Sequence, residues 1–225
     1  MNIDQLLATP SDLPVPEVRR LAAEVYRDIK AWPAAERNKL CETLWKHDGG
    51  VLVICLYQRF AKQCGLCEFR LFEKWLERHA RHWGHCDGIA HYLLAAAIAN
   101  QPDLAERVVP WTASPNRWKR RGAAVALVHE ARAGRHTGVI LEVAERLLAD
   151  PDDLVRKGVG WLLKEAYRKQ PRAVLHLLGA HRARVPRLVL RIATEKMPAG
   201  ERARILAGAV AGPGDLSTRK GFSRQ

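Results

Sequence analysis

Trp83 and Asp87 stand four residues apart in the run His82-Trp83-Gly84-His85-Cys86-Asp87, so on a helix both side chains leave the same face. Trp161 follows Lys157 at the same interval. An indole face stabilises a cation held above it, by up to about 2 kcal/mol when desolvated. A fixed carboxylate stabilises positive charge that develops during a reaction. Two indoles and one carboxylate on a basic surface therefore suit a substrate that is anionic along its backbone and cationic at one base. Taken singly, each residue also has an ordinary use: a tryptophan at helical spacing packs in a core, and an aspartate before glycine caps or turns. The pattern alone leaves both readings open.

A second constellation is Cys64-x2-Cys67 followed by His79 and by His82 or His85. It approaches a Cys2His2 zinc spacing, but the stretch between Cys67 and His79 is short. Both cysteines fall at a helix–helix junction, not in a β-hairpin. No metal site is expected from these residues, and none of the five cysteines is assigned one. The chain contains no glycine-rich phosphate loop, no G-x-S-x-G and no H-E-x-x-H. Nucleotide hydrolysis and serine- or metalloprotease chemistry therefore have no foothold, and no nucleotide or other cofactor is expected.

The strongest compositional signal is charge. Thirty-seven Lys and Arg against 24 Asp and Glu give a formal net charge of +13 and a pI near 10.0. An excess of that size concentrates polyanions near the surface, nucleic acid first and an anionic membrane surface second. Arg117, Arg120 and Arg121 crowd one predicted helix start, Arg156 and Lys157 crowd another, and Arg182, Arg184, Arg187 and Arg191 continue the series. Basic residues at a helix N-terminus run against the dipole preference for acidic ones, and their recurrence points to phosphate contact. A solvated face of a basic protein is the plainer alternative. Phosphate-contact candidates are Arg120, Arg121, Arg156, Lys157, Arg187 and Arg191.

The elements that must carry these residues are helices. Val18, Leu21, Ala22, Val25 and Ile29 line one face of a helix predicted over Pro16 to Trp32, and Pro33 opens the next. Gly49-Gly50, Cys64-Gly65, Pro102, Pro115, Gly134, Pro151, Pro171, Pro186 and Pro198 punctuate the remainder into helical pieces. Val51 to Leu56 is apolar and β-branched, but it runs on into Tyr57, Phe60 and Ala61 at helical spacing and reads as a buried helix. Trp118-Lys119-Arg120-Arg121-Gly122 reappears as Leu154-Val155-Arg156-Lys157-Gly158, a shift of roughly 36 residues, and a weaker copy starts at Asp87-Gly88. Repeats of that length built from helix pairs stack into an all-α solenoid. Asp87, Arg121 and Lys157 occupy equivalent positions and are predicted neighbours on one concave face.

The predicted organisation is a flexible segment over 1–15, a helical-repeat domain over 16–211 and a flexible basic tail over 212–225. Met1 to Pro16 has neither the basic nor the apolar region of a signal peptide, and no apolar run reaches membrane-span length. Five cysteines without an export signal read as free thiols in a reducing compartment. A cytoplasmic, DNA-associated monomer is expected.

Several separated runs resemble one family. Asp152-Asp153-Leu154-Val155-Arg156-Lys157-Gly158-Val159-Gly160-Trp161-Leu162-Leu163-Lys164-Glu165 is similar to the signature helix of the AlkD-like DNA alkylation repair family. Arg187 to Met197 is similar to a C-terminal segment of that family. His82 to Asp87 matches its tryptophan-to-aspartate spacing, and Ser114 to Arg121 resembles the next family helix. The resemblance spans about Pro16 to Met197. It implies a HEAT-like solenoid that binds duplex DNA and excises N3- and N7-alkylated purines as a monofunctional glycosylase. By that similarity Asp87 stabilises the oxocarbenium character of the sugar, Trp83 and Trp161 stack on the backbone and the cationic lesion, and Arg121 holds phosphate. The family usually carries further N-terminal helices and an aromatic residue on them, which Met1 to Pro14 is not expected to supply. That departure keeps open a non-catalytic relative that binds damaged or branched DNA.

Overall fold

The structure, a computed structural model, describes residues 6–8 and 13–207. Among the described residues every regular element is helical and no strand occurs. The predicted tail over 212–225 and most of the predicted 1–15 segment lie outside the described residues.

Helix α1 (Val15–Ile29) buries Val18, Ala22, Val25 and Ile29, the stripe its periodicity predicts. It ends three residues before the predicted Trp32, and Pro33 caps α2 (Ala34–Lys46). The apolar run from Val51 forms α3 (Gly50–Gln58), which buries Leu52, Val53, Ile54, Cys55, Leu56 and Tyr57. Such a helix has no polar face because neighbours cover it on opposite sides: α1 on one and the segment from Gly88 to Leu94 on the other. Helix α4 (Leu66–Arg78) begins where the Glu68 carboxylate accepts from the Gly65 amide at 3.0 Å. It buries Phe69, Phe72, Trp75 and Leu76, and each such side chain contributes about 1.5–3 kcal/mol through burial.

A rod then runs from Trp83 to Asn100 in three parts: α5 (Trp83–Asp87), a π-helical segment (Gly88–Leu94) and α6 (Ala95–Asn100). After a 3-10 stretch over Pro102–Ala113 come α7 (Arg117–Val125), α8 (Val128–Ala133) and α9 (Thr137–Leu147). Helices α10 (Asp153–Tyr167), α11 (Pro171–Ala180), α12 (Arg187–Ala193) and α13 (Ala199–Ala207) complete the chain. Helix α10 is the hub of the C-terminal half and packs on α7, α8, α9, α11 and α12.

The internal repeat is visible in the backbone. Asn116 accepts from the Trp118 amide at 2.9 Å and Asp152 from the Leu154 amide at 2.8 Å, so the two copies begin with the same cap. The glycines at the matching positions do not all do the same job. A Cβ on Gly88 would stand 2.6 Å from Ile54 Cδ1 and one on Gly122 would overlap Leu76, so both let the helix approach its neighbour. One on Gly158 would meet Arg121 and Val125 only at ordinary contact distance. Side-chain bonds then tie element to element at one repeat's separation: Trp75 to Glu42 (33 residues), Asp87 to Arg121 (34), Arg132 to Glu165 (33) and Tyr167 to Glu201 (34). The molecule is a helical-repeat solenoid.

Candidate active site

Asp87 is the last residue of α5. Its two carboxylate oxygens each accept from one guanidinium: Arg121 Nε donates to Oδ1 at 2.8 Å and Nη2 to Oδ2 at 2.7 Å. The third nitrogen, Nη1, donates to the Leu154 carbonyl in the first turn of α10. Arg121 is 7% exposed at its side chain and Asp87 18%. One buried guanidinium therefore joins three successive repeats and holds the carboxylate in a fixed pose. A fork-to-fork pair of this kind sets direction as well as distance. Each carboxylate oxygen keeps further lone-pair capacity. The predicted nearness of Asp87 and Arg121 is thus a direct ion pair.

Trp83, one turn before Asp87, is 60% exposed. An indole left that open covers no core and is available to a ligand. Trp161 lies on α10, one turn beyond Lys157, and is half-buried against the core. Its ring centroid sits 4.8 Å from that of His91, which is one turn beyond Asp87 on the rod. Trp83, Asp87 and His91 thus succeed one another along the rod, Arg121 binds Asp87, and Trp161 meets His91.

The basic candidates divide. Arg120 donates from Nε and Nη2 to Asp150 at 2.7 and 3.2 Å, and from Nη1 to the Ser114 and Pro115 carbonyls. Its guanidinium is spent on tying the start of α7 to the turn before α10. Arg121 is spent on Asp87 and Leu154, and Arg156 makes one bond to the exposed carboxylate of Asp153 at 3.0 Å. Lys157, Arg187 and Arg191 are exposed and meet no acidic partner among the described residues. Arg117 pairs with Asp152 at 3.3 Å and lies over the Trp118 ring at 4.5 Å.

The zinc-like residues have other uses. Cys64 is buried with its thiol 3.5 Å from the Phe60 carbonyl, while Cys67 is exposed. His79 bonds Glu42 at 3.1 Å and stacks on Trp45 at 5.1 Å. His82 accepts from the Gly84 amide and so caps α5. His85 lies edge-on to Trp45, and burial lowers its pKa from 6.5 to about 4, helped by His82.

The sequence pattern missed a histidine pair. His91 stacks on His129 at 4.1 Å, and the exposed Tyr92 ring lies 5.0 Å away. Burial, with His129 and Arg132 nearby, lowers the His91 pKa from 6.5 to about 4. Burial and Arg132 lower that of His129. Burial thus favours the neutral form of both rings. The only available hint was the four-residue step from Asp87 to His91.

The description "DNA alkylation repair enzyme" belongs to the family whose sequence model matches residues 12–197. No curated protein matches the chain. Among solved structures, a protein described as a predicted DNA alkylation repair enzyme from Enterococcus faecalis aligns with a TM-score of 0.73 at 16% identity, covering 83% of this chain and 87% of that one. At that identity the likeness concerns the fold, and it joins this solenoid to a solved one over most of both chains. Among the described residues no helix is long and apolar enough to cross a membrane. With the matched span reaching from before α1 to the end of the segment containing α12, the chain belongs to the DNA alkylation repair enzyme family, and its substrate is DNA.

Proposed function

We propose that this protein is a monofunctional DNA glycosylase that releases N3- or N7-alkylated purines from duplex DNA, with Asp87 as the catalytic carboxylate. The observation that carries the reading is the Arg121 fork. It fixes Asp87 one turn beyond the open indole of Trp83 and one turn before His91, whose ring meets the half-buried indole of Trp161, on a chain with 13 excess positive charges. An N3- or N7-alkylated purine already bears positive charge, so it departs without a general acid. As the C1′–N9 bond breaks, its electron pair neutralises the base and positive charge passes to the sugar. A preorganised carboxylate stabilises that oxocarbenium character, and the two indoles stabilise the cationic base before it leaves. Water then adds at C1′ and loses its proton, leaving an abasic site. These steps need no metal ion or nucleotide cofactor.

Lys157, Arg187, Arg191 and Arg156 are assigned the phosphate contacts, since their guanidinium and ammonium groups are exposed or only singly paired. Arg120 and Arg121 add positive potential while their donors stay within the fold. The test is release of free base from duplex DNA carrying 7-methylguanine, wild type beside Asp87→Asn, with duplex affinity measured for both. Release by the wild type, with at least a hundredfold loss in the variant at unchanged affinity, is expected; that size matches the removal of one electrostatic stabiliser. Tight, salt-sensitive binding without release by either protein would leave a non-catalytic DNA-binding relative instead.

A further inference from the structure

Three rings meet one helical turn beyond Asp87, where a bond between the His129 ring and the His91 backbone accounts for only one of the contacts. His91 stacks on His129 at 4.1 Å with 22° between planes, and its other neighbour is Trp161 at 4.8 Å and 39°. His91 is 9% exposed, and its Nδ1 is buried without a partner. A buried polar nitrogen left unpaired costs free energy on the order of 1–3 kcal/mol, and cores rarely tolerate one without a use.

The backbone under His91 is equally unusual. Residues Gly88–Leu94 form a π-helical segment inside an otherwise α-helical rod. Such insertions are rare and concentrate at functional sites. Here the insertion has a local reason. The rod is pinned at one end by the close approach of Gly88 to Ile54 and by the Asp87–Arg121 fork. The π-helical segment begins at that pin, and within it His91 is buried while Tyr92 is exposed.

The partners of His91 lie on α8 and on α10. His129 is about one repeat away in sequence, but Trp161 is nearly two. The stack therefore ties the rod to helices from two later repeats. Trp161 can tilt about its own side-chain torsions, and what stops it on this side is the His91 ring.

We infer that His91, backed by His129, is a positioning residue that sets the Trp161 indole at the angle needed to face the substrate's cationic base, and that the π-helical segment exists to deliver it there. The inference rests on the glycosylase reading for what Trp161 faces, but the placement of Trp161 can be measured without it. His129 supports His91 by stacking and Tyr92 flanks it on the solvent side. Other charged groups near the stack are Arg132 and Glu165, which pair with each other at 3.0 Å.

The experiment uses the full chain, the variants His91→Ala, His91→Phe and His129→Ala, and Trp161→Phe made alone and in each of those three backgrounds. The emission of Trp161 is obtained in each background by subtracting the matching Trp161→Phe protein. In the wild type, adding an undamaged duplex is expected to quench that emission. His91→Ala is expected to red-shift it in the free protein and to weaken the quench, while His91→Phe, which keeps a ring, restores both. On a 7-methylguanine duplex, single-turnover release is expected to fall on the order of tenfold in His91→Ala, as for a misplaced catalytic group. Affinity should change by less than about threefold, and His91→Phe should recover most of the rate. A change in melting temperature alone, with Trp161 emission, quench and release all unaltered, overturns the inference. So does a His91→Phe protein as impaired as His91→Ala. If the wild type releases no base, the glycosylase reading fails, and the emission and quench still decide whether His91 places Trp161.

Discussion

Asp87 and Arg121 form the pair on which stability and proposed chemistry meet. Removing one member of a buried ion pair leaves the other uncompensated, at a cost of about 3–5 kcal/mol. Both side chains here are mostly buried, and Arg121 also bonds the Leu154 carbonyl, so Arg121→Ala is expected to lose about 3 kcal/mol in a denaturant titration. Excision should fall in the same variant because Asp87 loses its fixed pose. Arg121→Lys should recover part of the stability and little of the rate, since an ammonium cannot reproduce the fork. A fully active Arg121→Ala protein would mean that Asp87 needs no such clamp. The histidines give a separate reading at this scale. Burial lowers the pKa of His85 and of His91 from 6.5 to about 4. Between those values the unfolded chain binds protons that the folded chain does not, so stability falls as pH falls through that window. Glu165 is pulled the other way by burial, but Arg132 and Lys196 outweigh it and hold its pKa below 4.5. Its contribution is therefore intact above pH 4.5 and fades only below. From pH 7 to pH 5 the wild type should lose more stability than His91→Phe, by on the order of 1 kcal/mol; equal losses would show that His91 is not held neutral by the fold.

At the level of single elements, the helices were legible because their burial is simple. The stripe from Val18 to Ile29 predicts α1, and the unbroken apolar run from Val51 predicts a buried helix, which α3 is. The repeat also made the site half-legible: Asp87-Gly88, Arg121-Gly122 and Lys157-Gly158 can be aligned by eye, and the first two charged residues meet in the ion pair. The rest was hidden for physical reasons. A π-helical insertion is a response to where the rod is pinned, and nothing in Gly88-Ile89-Ala90-His91 announces it locally. His129 and Trp161 reach His91 from other helices, so their contact follows from tertiary packing that no local stretch of sequence shows. Arg120 reads as a phosphate ligand beside Arg121 until Asp150, thirty residues on, takes its guanidinium. The glycines make a prediction of their own. Gly88→Ala would place a methyl 2.6 Å from Ile54 Cδ1, the mobile tip of a side chain, so about 1–3 kcal/mol should be lost through overpacking. If close approach is what matters, Gly88→Ala combined with Ile54→Val should recover part of that loss in thermal unfolding. A double variant no better than the single one would count against the approach as the reason for this glycine.

For the whole molecule the question is which of its positive charges reach the substrate. Net charge alone treats all 37 Lys and Arg alike, whereas the fold sorts them. Arg120 and Arg121 are consumed by Asp150 and Asp87, and Arg132 by Glu165, which also takes Lys196 at 3.4 Å. Lys157 on α10 and Arg187 and Arg191 on α12 remain exposed and without acidic partners among the described residues, and α10 and α12 pack directly together. These three therefore lie on adjoining helices. Each phosphate neutralised by such a residue releases counterions and adds about 0.9 to the slope of log affinity against log salt. Replacing Lys157, Arg187 and Arg191 with alanine together should thus lower that slope by between two and three on duplex DNA, with little change in melting temperature. Arg120→Ala should do the reverse: the melting temperature falls because Asp150 is left buried and unpaired, while the salt slope barely moves. Measuring both slopes on one undamaged duplex separates the charges that hold the solenoid together from those that hold DNA. A slope that fell for Arg120→Ala and stayed constant for the triple variant would place the DNA on a different face from Trp83, Asp87 and Trp161.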